Sequence, residues 1–124
     1  MTSRATIIGA GMIPMGKHKG SSYPGLAVPA VLEALRTADL SPGDIGTVTC
    51  GHAFGGMLTG QRIVKDIGIG GVPVMNVDNA CSGGASALHL AARDIVEGRT
   101  DVALAIGVDK LTQFGGGTLP LVEE

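Results

Sequence analysis

Apolar residues occur along the chain in short continuous runs that alternate with stretches of helical period. The runs predict four strands buried on both faces, because a strand covered by helices on either side is apolar almost throughout. These strands are expected at 6–10, 45–50, 72–77 and 102–108. Helices are predicted where apolar residues recur every three or four positions, at 26–38, 60–67 and 82–97. Alternating strands and helices indicate an α/β fold, a mostly parallel sheet with helices on both faces.

The two long helices are predicted from the face that each would bury. Pro29 falls in the first turn of the first helix, and its apolar face holds Val28, Val31, Leu32 and Leu35. Gly98 follows the second helix as a stop signal, and its inner face holds Ala85, Leu88, Ala92 and Ile95. A turn is expected at 41–44, and the glycine-rich stretch 115–120 is expected to be irregular.

Composition narrows the classes of function. The 124 residues fit one domain or part of one, and an aromatic content of 2% makes the expected core aliphatic. A net charge of −2 gives no electrostatic reason to expect nucleic acid or a membrane as partner, and no apolar run has the length of a membrane span. Two cysteines without a secretory signal predict free thiols in a reducing, cytoplasmic setting.

The chemistry is concentrated in the stretch from Asn76 to Gly84. A predicted strand ends there in a polar turn, Cys81 follows, and a helix begins directly after it. A thiol at a helix N-terminus is favoured as thiolate, and nearby backbone N–H groups can hold an oxyanion. Gly83 and Gly84 are expected to leave room for a substrate thioester. On composition alone, a lone cysteine is more often a small buried hydrophobe. The strand–turn–helix context instead favours a nucleophile that accepts an acyl group.

Other candidate sites are weaker. Cys50 lies in an apolar run and is expected to be an inert core thiol, and its pairing with His52 lacks the second pair that a zinc site needs. The Gly9-Ala10-Gly11 turn does not continue as a dinucleotide-binding loop, because Pro14 occupies the third glycine position and no helix opens there. The candidate general bases are His18, His52 and His89, and nothing in the sequence pairs any of them with Cys81.

Taken together, four stretches in order resemble the thiolase family. They are Thr6–Lys17, Gly60–Gly68, Asn76–Gly84 and Gly98–Thr112. The third has the form Asn-Val-Asp-Asn-Ala-Cys-Ser-Gly-Gly, which is most similar to the sterol-carrier, or lipid-transfer, branch. The resemblance covers nearly the whole chain, but it corresponds only to the first part of the family's N-terminal half. It implies that residues 1–124 form a partial N-terminal domain, with an incomplete five-stranded layer and without the loop domain or the C-terminal half.

The resemblance also implies an activity. Cys81 would be the acyl-accepting cysteine of an acyltransferase that cleaves or forms the carbon–carbon bond of a 3-oxoacyl-CoA. Coenzyme A would be a co-substrate, with no bound cofactor and no metal. The coenzyme A-binding residues are unknown, because much of that site belongs to the missing loop domain. The family's oxyanion segment, catalytic histidine and second catalytic cysteine have no counterpart here. Two alternatives therefore stay open. One is an incomplete subunit that forms a homodimer or a complex with a chain supplying the missing half. The other is a lyase or condensing enzyme of lipid or steroid metabolism on the same fold.

Overall fold

A computed structural model describes residues 4–114, which form a three-stranded parallel sheet with helices on both faces. The strands are β1 (Thr47–Gly51), β2 (Val74–Val77) and β3 (Ala103–Gly107). The helices are α1 (Tyr23–Ala38), α2 (Thr59–Ile67) and α3 (Gly83–Val96), with short 3₁₀ turns at Pro42–Asp44 and Leu111–Phe114. The predicted α/β class is confirmed, and the ends of the last three predicted strands lie within two residues of their expected positions. The glycine-rich stretch 115–120 lies outside the described residues.

β1 is the central strand, and its side chains alternate between two different layers. The sheet order is β2-β1-β3, with Val48 opposite Val74 on one side and Leu104 on the other. Val48 and Cys50 belong to the aliphatic core formed with α1 and α2. The intervening residues point to the opposite face, where α3 packs on β1 and β3. Because helices cover both faces of the sheet, its strands are apolar on both faces.

α1 begins three residues earlier than predicted, and Pro29 lies inside it instead of in its first turn. The start is set by Ser22, whose hydroxyl accepts the Gly25 N–H at 3.1 Å, and by Pro24 in the first turn. The buried face is also rotated from the predicted one. Leu32 is 49% exposed, and the residues that enter the core are Leu26, Ala27, Val31 and Leu35.

The predicted first strand at 6–10 is wrong. Residues 4–15 have no strand pairing, and Ile7 is 71% exposed. The segment lies instead along α1, where the Ala10 N–H donates to the Thr37 hydroxyl at 3.0 Å. Gly9 and Gly11 permit this close approach, since a Cβ on either would overlap a backbone carbonyl oxygen of α1. Residues 6–10 have the apolar composition of a strand, but no neighbouring strand in the described part of the chain pairs with them.

The inner face predicted for α3 is also wrong. Its buried residues are Gly83, Ala87, Ala91 and Asp94, whereas Leu88 is 49% exposed. The rotation follows from the first turn, where Gly83 packs directly against the backbone of Gly51 at the end of β1. Residues four and eight positions later lie on the same helix face, so Ala87 and Ala91 face the sheet. Leu88 and Ile95 instead line a cleft that β3 also lines.

Candidate active site

Cys81 lies exposed in the tight turn that joins β2 to α3. The turn is held by the Asp78 carboxylate, which accepts the Ala80 N–H at 2.9 Å, and by the Ser82 N–H, which donates to the Asn79 carbonyl at 2.9 Å. Ala80 has a φ of 47°, a left-handed conformation that a residue with a Cβ rarely adopts. Strained backbone conformations cluster at functional sites, and this one lies directly before the exposed Cys81.

The first turn of α3 presents hydrogen-bond donors next to this thiol. The Gly83 N–H is bonded to the Ala80 carbonyl at 3.1 Å and the Ser86 N–H to the Ser82 carbonyl at 2.9 Å. Among the described residues, the N–H groups of Gly84 and Ala85 have no such partner. Free N–H groups at a helix N-terminus attract an anion. The arrangement therefore supplies donors for negative charge that develops close to Cys81.

Gly83 and Gly84 bring the start of α3 into contact with the sheet. That they also leave room for a substrate thioester stays a prediction. A Cβ on Gly51 would overlap the Gly83 carbonyl group, and a Cβ on Gly107 would come within 2.8 Å of the Gly84 Cα. These glycines hold the N-terminus of α3, and with it Cys81, against the carboxyl ends of β1 and β3.

His52 is oriented by an amide network that the sequence did not reveal. Asn76 Oδ1 accepts the Gly60 N–H at 2.7 Å, while its Nδ2 donates to Gln61 Oε1 at 2.7 Å. Because Oδ1 is thereby assigned as an acceptor, His52 Nε2, 3.1 Å away, must carry the hydrogen. His52 Nδ1 is buried without a partner among the described residues. The network joins the end of β1 to β2 and the start of α2.

Asp109 forms a second junction at the same edge of the sheet. Its carboxylate accepts the Ala53 N–H at 2.9 Å, the Phe54 N–H at 3.1 Å and the Tyr23 hydroxyl at 3.0 Å. Burial, and then the hydrogen bond to Asp109, raise the pKa of Tyr23 above its usual value. One carboxylate thus ties the loop after β1 to the start of α1 and to the segment after β3.

The other candidate side chains do not converge on Cys81. Cys50 is completely buried, and burial followed by the charge of Asp109 raises its pKa to about 12. His18 is half-buried with its Nε2 2.8 Å from the Pro14 carbonyl, and His89 is exposed on α3. In residues 4–114 no three His, Cys, Asp or Glu side chains form a group that could hold a metal ion.

Comparison with known proteins shows which family and which proteins this chain resembles. A family model described as "Thiolase, N-terminal domain" matches residues 5–117. The benzoylsuccinyl-CoA thiolase subunit BbsB of Thauera aromatica is 39% identical over 108 residues, which are 86% of this chain and 28% of that protein. Sterol carrier protein 2 of Bos taurus is 33% identical over 116 residues, 91% of this chain and 21% of that protein.

Solved structures support the fold. The 3-oxoacyl-[acyl-carrier-protein] synthase III from Aquifex aeolicus VF5 superposes with a TM-score of 0.75 at 23% identity, covering 90% of this chain and 46% of that one. This chain therefore spans between about a fifth and somewhat more than a quarter of the two curated relatives named above, and about half of the synthase structure. In the described part of the chain, no helix has the length and hydropathy needed to cross a membrane.

Proposed function

Because the chain belongs to the thiolase family through its N-terminal domain, we propose that Cys81 is the nucleophile of a thiolase-type acyl transfer from acyl-CoA. The observation that carries the proposal is the position of Cys81, exposed in a strained turn directly before the free N–H groups of Gly84 and Ala85. A nucleophile needs access to the substrate, and the carbonyl oxygen that it attacks becomes negative, so donors at that point stabilise the transition state.

In the cleavage direction, a base takes the proton of the Cys81 thiol, and the sulfur attacks the 3-oxo carbon of a 3-oxoacyl-CoA. The bond between carbons 2 and 3 then breaks, carbon 2 takes a proton, and acetyl-CoA or propionyl-CoA leaves. The acyl group that remains on Cys81 is transferred to the sulfur of coenzyme A, which loses its proton to a base. The same steps in reverse form a carbon–carbon bond. The covalent intermediate divides one difficult substitution into two acyl transfers.

The proton transfers need a general base, and the three histidines among the described residues are engaged or placed elsewhere. His52 Nε2 donates to Asn76, His18 lies against the Pro14 carbonyl, and His89 is exposed on α3. We infer that the general base comes from outside residues 4–114, supplied by a further polypeptide segment. General acid–base assistance typically contributes about 10²- to 10⁴-fold to the rate. The 124-residue chain by itself is therefore proposed to be acylated slowly and to turn over poorly.

Incubation of the purified chain with excess acetoacetyl-CoA should place an acetyl group on Cys81, and added coenzyme A, the acceptor of that group, should not produce sustained turnover. Peptide mapping by mass spectrometry locates the adduct, and release of acetyl-CoA measures turnover. The Cys81→Ala variant should carry no adduct, whereas the Cys50→Ala variant should be acylated like the wild type. A complete absence of adduct at Cys81 would overturn the nucleophile assignment. Rapid, repeated cleavage would instead show that the chain assembles its own base.

We also propose that the chain associates in solution, as a dimer or with a partner polypeptide. β2 is an edge strand with one side unpaired in the described structure, and Met75 on it is 44% exposed. Open edges and exposed apolar surface both favour association. Light scattering after size exclusion at micromolar concentration should give a mass at least twice that of the chain. A soluble monomer that unfolds cooperatively would contradict this expectation.

A further inference from the structure

We propose that positive charge along one edge of the sheet guides anionic thioesters to Cys81, with Lys17 and Lys19 as the exposed guiding groups. This carboxyl edge is formed by the ends of β1, β2 and β3 and by the loops that pack against them. That the natural anion is an acyl-CoA rests on the proposed function. The guiding itself should act on any negatively charged reagent of Cys81, so it can be tested separately.

Formal charge is divided unevenly between the two ends of the strands. All nine basic residues lie within 4–114, but two of the eleven acidic ones, Glu123 and Glu124, lie outside, so the described residues are neutral as a whole. The carboxyl edge holds four basic residues and two acidic ones, a charge of +2: Lys17, Lys19, Arg62 and Lys110 against Asp78 and Asp109. The rest of the described chain therefore carries −2. The small net charge hides this separation.

Hydrogen bonds place the two guiding lysines at this edge. His18 lies between them in the chain, and its carbonyl accepts the Ser21 N–H at 3.3 Å. The Ser21 carbonyl accepts Lys110 Nζ at 2.8 Å. Lys110 follows Asp109, which binds the loop after β1 and lines the same cleft as His18. Both guiding lysines are exposed, so their ammonium groups can act on solutes that approach this side of the molecule.

Within residues 4–114, the basic residues of the carboxyl edge have no carboxylate partner. The ion pairs of this part of the chain lie within α1 or around the end of α3: Glu33–Arg36, Arg93–Glu97, Asp94–Arg99 and Glu97–Arg99. At the carboxyl edge, Lys110 donates to a backbone carbonyl, and Arg62 donates to the Thr59 hydroxyl at 3.1 Å. The carboxylates of Asp78 and Asp109 accept backbone N–H groups, which offset part of their charge. The field of the basic groups therefore extends into solvent.

A positive edge of this kind matches the charge distribution of acyl-CoA. The phosphate groups of coenzyme A lie at its nucleotide end, and the long, neutral pantetheine arm separates them from the thioester. Cations that attract the phosphates should therefore share an edge with the nucleophile without lying beside it. The guiding lysines meet this condition, because they precede α1 whereas Cys81 precedes α3. Opposite charge can raise an association rate about tenfold or more, and salt screens the effect.

Two disulfide reagents test the guiding without any acyl transfer. Dithiobis(nitrobenzoate) is an anion and dithiodipyridine is neutral, and both form a mixed disulfide with an accessible thiol. In the Lys17→Gln/Lys19→Gln variant, the anionic reagent should modify Cys81 about threefold or more slowly at low salt, while the neutral reagent should react as with the wild type. Raising the salt to about 1 M, where the Debye length is about 3 Å, should remove the difference.

Arg4→Gln/Lys65→Gln is the matched control, because it removes the same formal charge from exposed residues away from the carboxyl edge. Lys65 lies in the last turn of α2, and Arg4 precedes the segment that runs along the second half of α1. This variant should react with the anionic reagent like the wild type. Equal slowing in both double variants would mean that net charge alone sets the rate. That result, or no slowing in either variant, would overturn the proposal.

Acetoacetyl-CoA tests whether the guided anion is an acyl-CoA. Acylation of Cys81 by this thioester should slow about threefold or more in Lys17→Gln/Lys19→Gln at low salt. Acylation by the neutral acetoacetyl thioester of N-acetylcysteamine should be unchanged. If only the anionic disulfide is slowed, acyl-CoA is not the guided anion and that part of the proposal is overturned. If neither thioester acylates Cys81, the proposed function fails, and the two disulfides still decide whether the edge guides anions.

Discussion

Limiting iodoacetamide near neutral pH is expected to label Cys81 and to leave Cys50 unmodified in the folded chain. The thiolate is the reactive form of a cysteine, and the pKa of Cys50 is raised to about 12 by burial and by Asp109. At pH 7.5 this leaves about three Cys50 thiolates in 100,000 molecules, against roughly one in ten for an ordinary cysteine of pKa about 8.5. Cys50 also has no exposed surface. Labelling at Cys50 should therefore be slower by on the order of a thousandfold or more.

Peptide mapping after partial reaction measures both sites in the same sample. In denaturant, where burial is lost, the two cysteines should react at similar rates, which controls for differences between the peptides. The pKa of Cys50 also determines how its labelling rate should change with pH. Because only the deprotonated form of Cys50 reacts, its rate should rise about tenfold per pH unit up to about pH 12, provided that the fold persists. Equal labelling of both cysteines in the folded chain would contradict the buried position of Cys50.

Local sequence signals were enough to predict the elements that lead to Cys81. The apolar run before Asn76, the polar turn and the helix with Gly98 beyond its end are all local patterns, and the structure forms them within two residues of the expected positions. The family assignment rested on those motifs and is confirmed by the match to residues 5–117. Cys81 as the catalytic residue stays a prediction.

The predictions that were wrong depend on contacts between distant residues. The run 6–10 has strand character, but a strand also needs a neighbour to pair with, and the described part of the chain places none beside it. In α3, both apolar stripes are possible from periodicity. The contact of Gly83 with Gly51 selects the one that faces the sheet, and no periodicity within the helix encodes that contact.

The polar junctions of the site could not be predicted for the same reason. Asp109 binds the backbone of Ala53 across 56 positions and the hydroxyl of Tyr23 across 86. Asn76 orients His52 across 24 positions. Each partner has an ordinary local role at the end of a strand or the start of a helix. Only the parallel arrangement, which brings the carboxyl ends of the strands to one edge of the sheet, makes them neighbours.

Replacing Gly51 with alanine is expected to cause a large loss of stability. The added Cβ would overlap the carbonyl group of Gly83, and both partners are backbone, one in the central strand and one in the first turn of α3. Neither can move aside as a side chain can, so α3 must lift from the sheet. Overpacking of this kind costs about 1–3 kcal/mol and occasionally more. We expect the upper end, about 3 kcal/mol, which corresponds to roughly a 10 °C fall in Tm for a domain of this size.

Gly84→Ala is the matched control for Gly51→Ala. It adds the same methyl group in the same turn of α3, but its Cβ would meet the Gly107 Cα at 3.4 Å, an ordinary contact. The free energy of unfolding should therefore fall by no more than about 1 kcal/mol, and the better helix propensity of alanine offsets part of that loss.

A second measurement tests whether the packing of α3 affects the site. If α3 lifts in Gly51→Ala, the turn that carries Cys81 lifts with it, so the rate of Cys81 alkylation should change in that variant and not in Gly84→Ala. Equal stability of the two variants would mean that the start of α3 does not rest on the end of β1, and that Cys81 is held in place by its own turn alone.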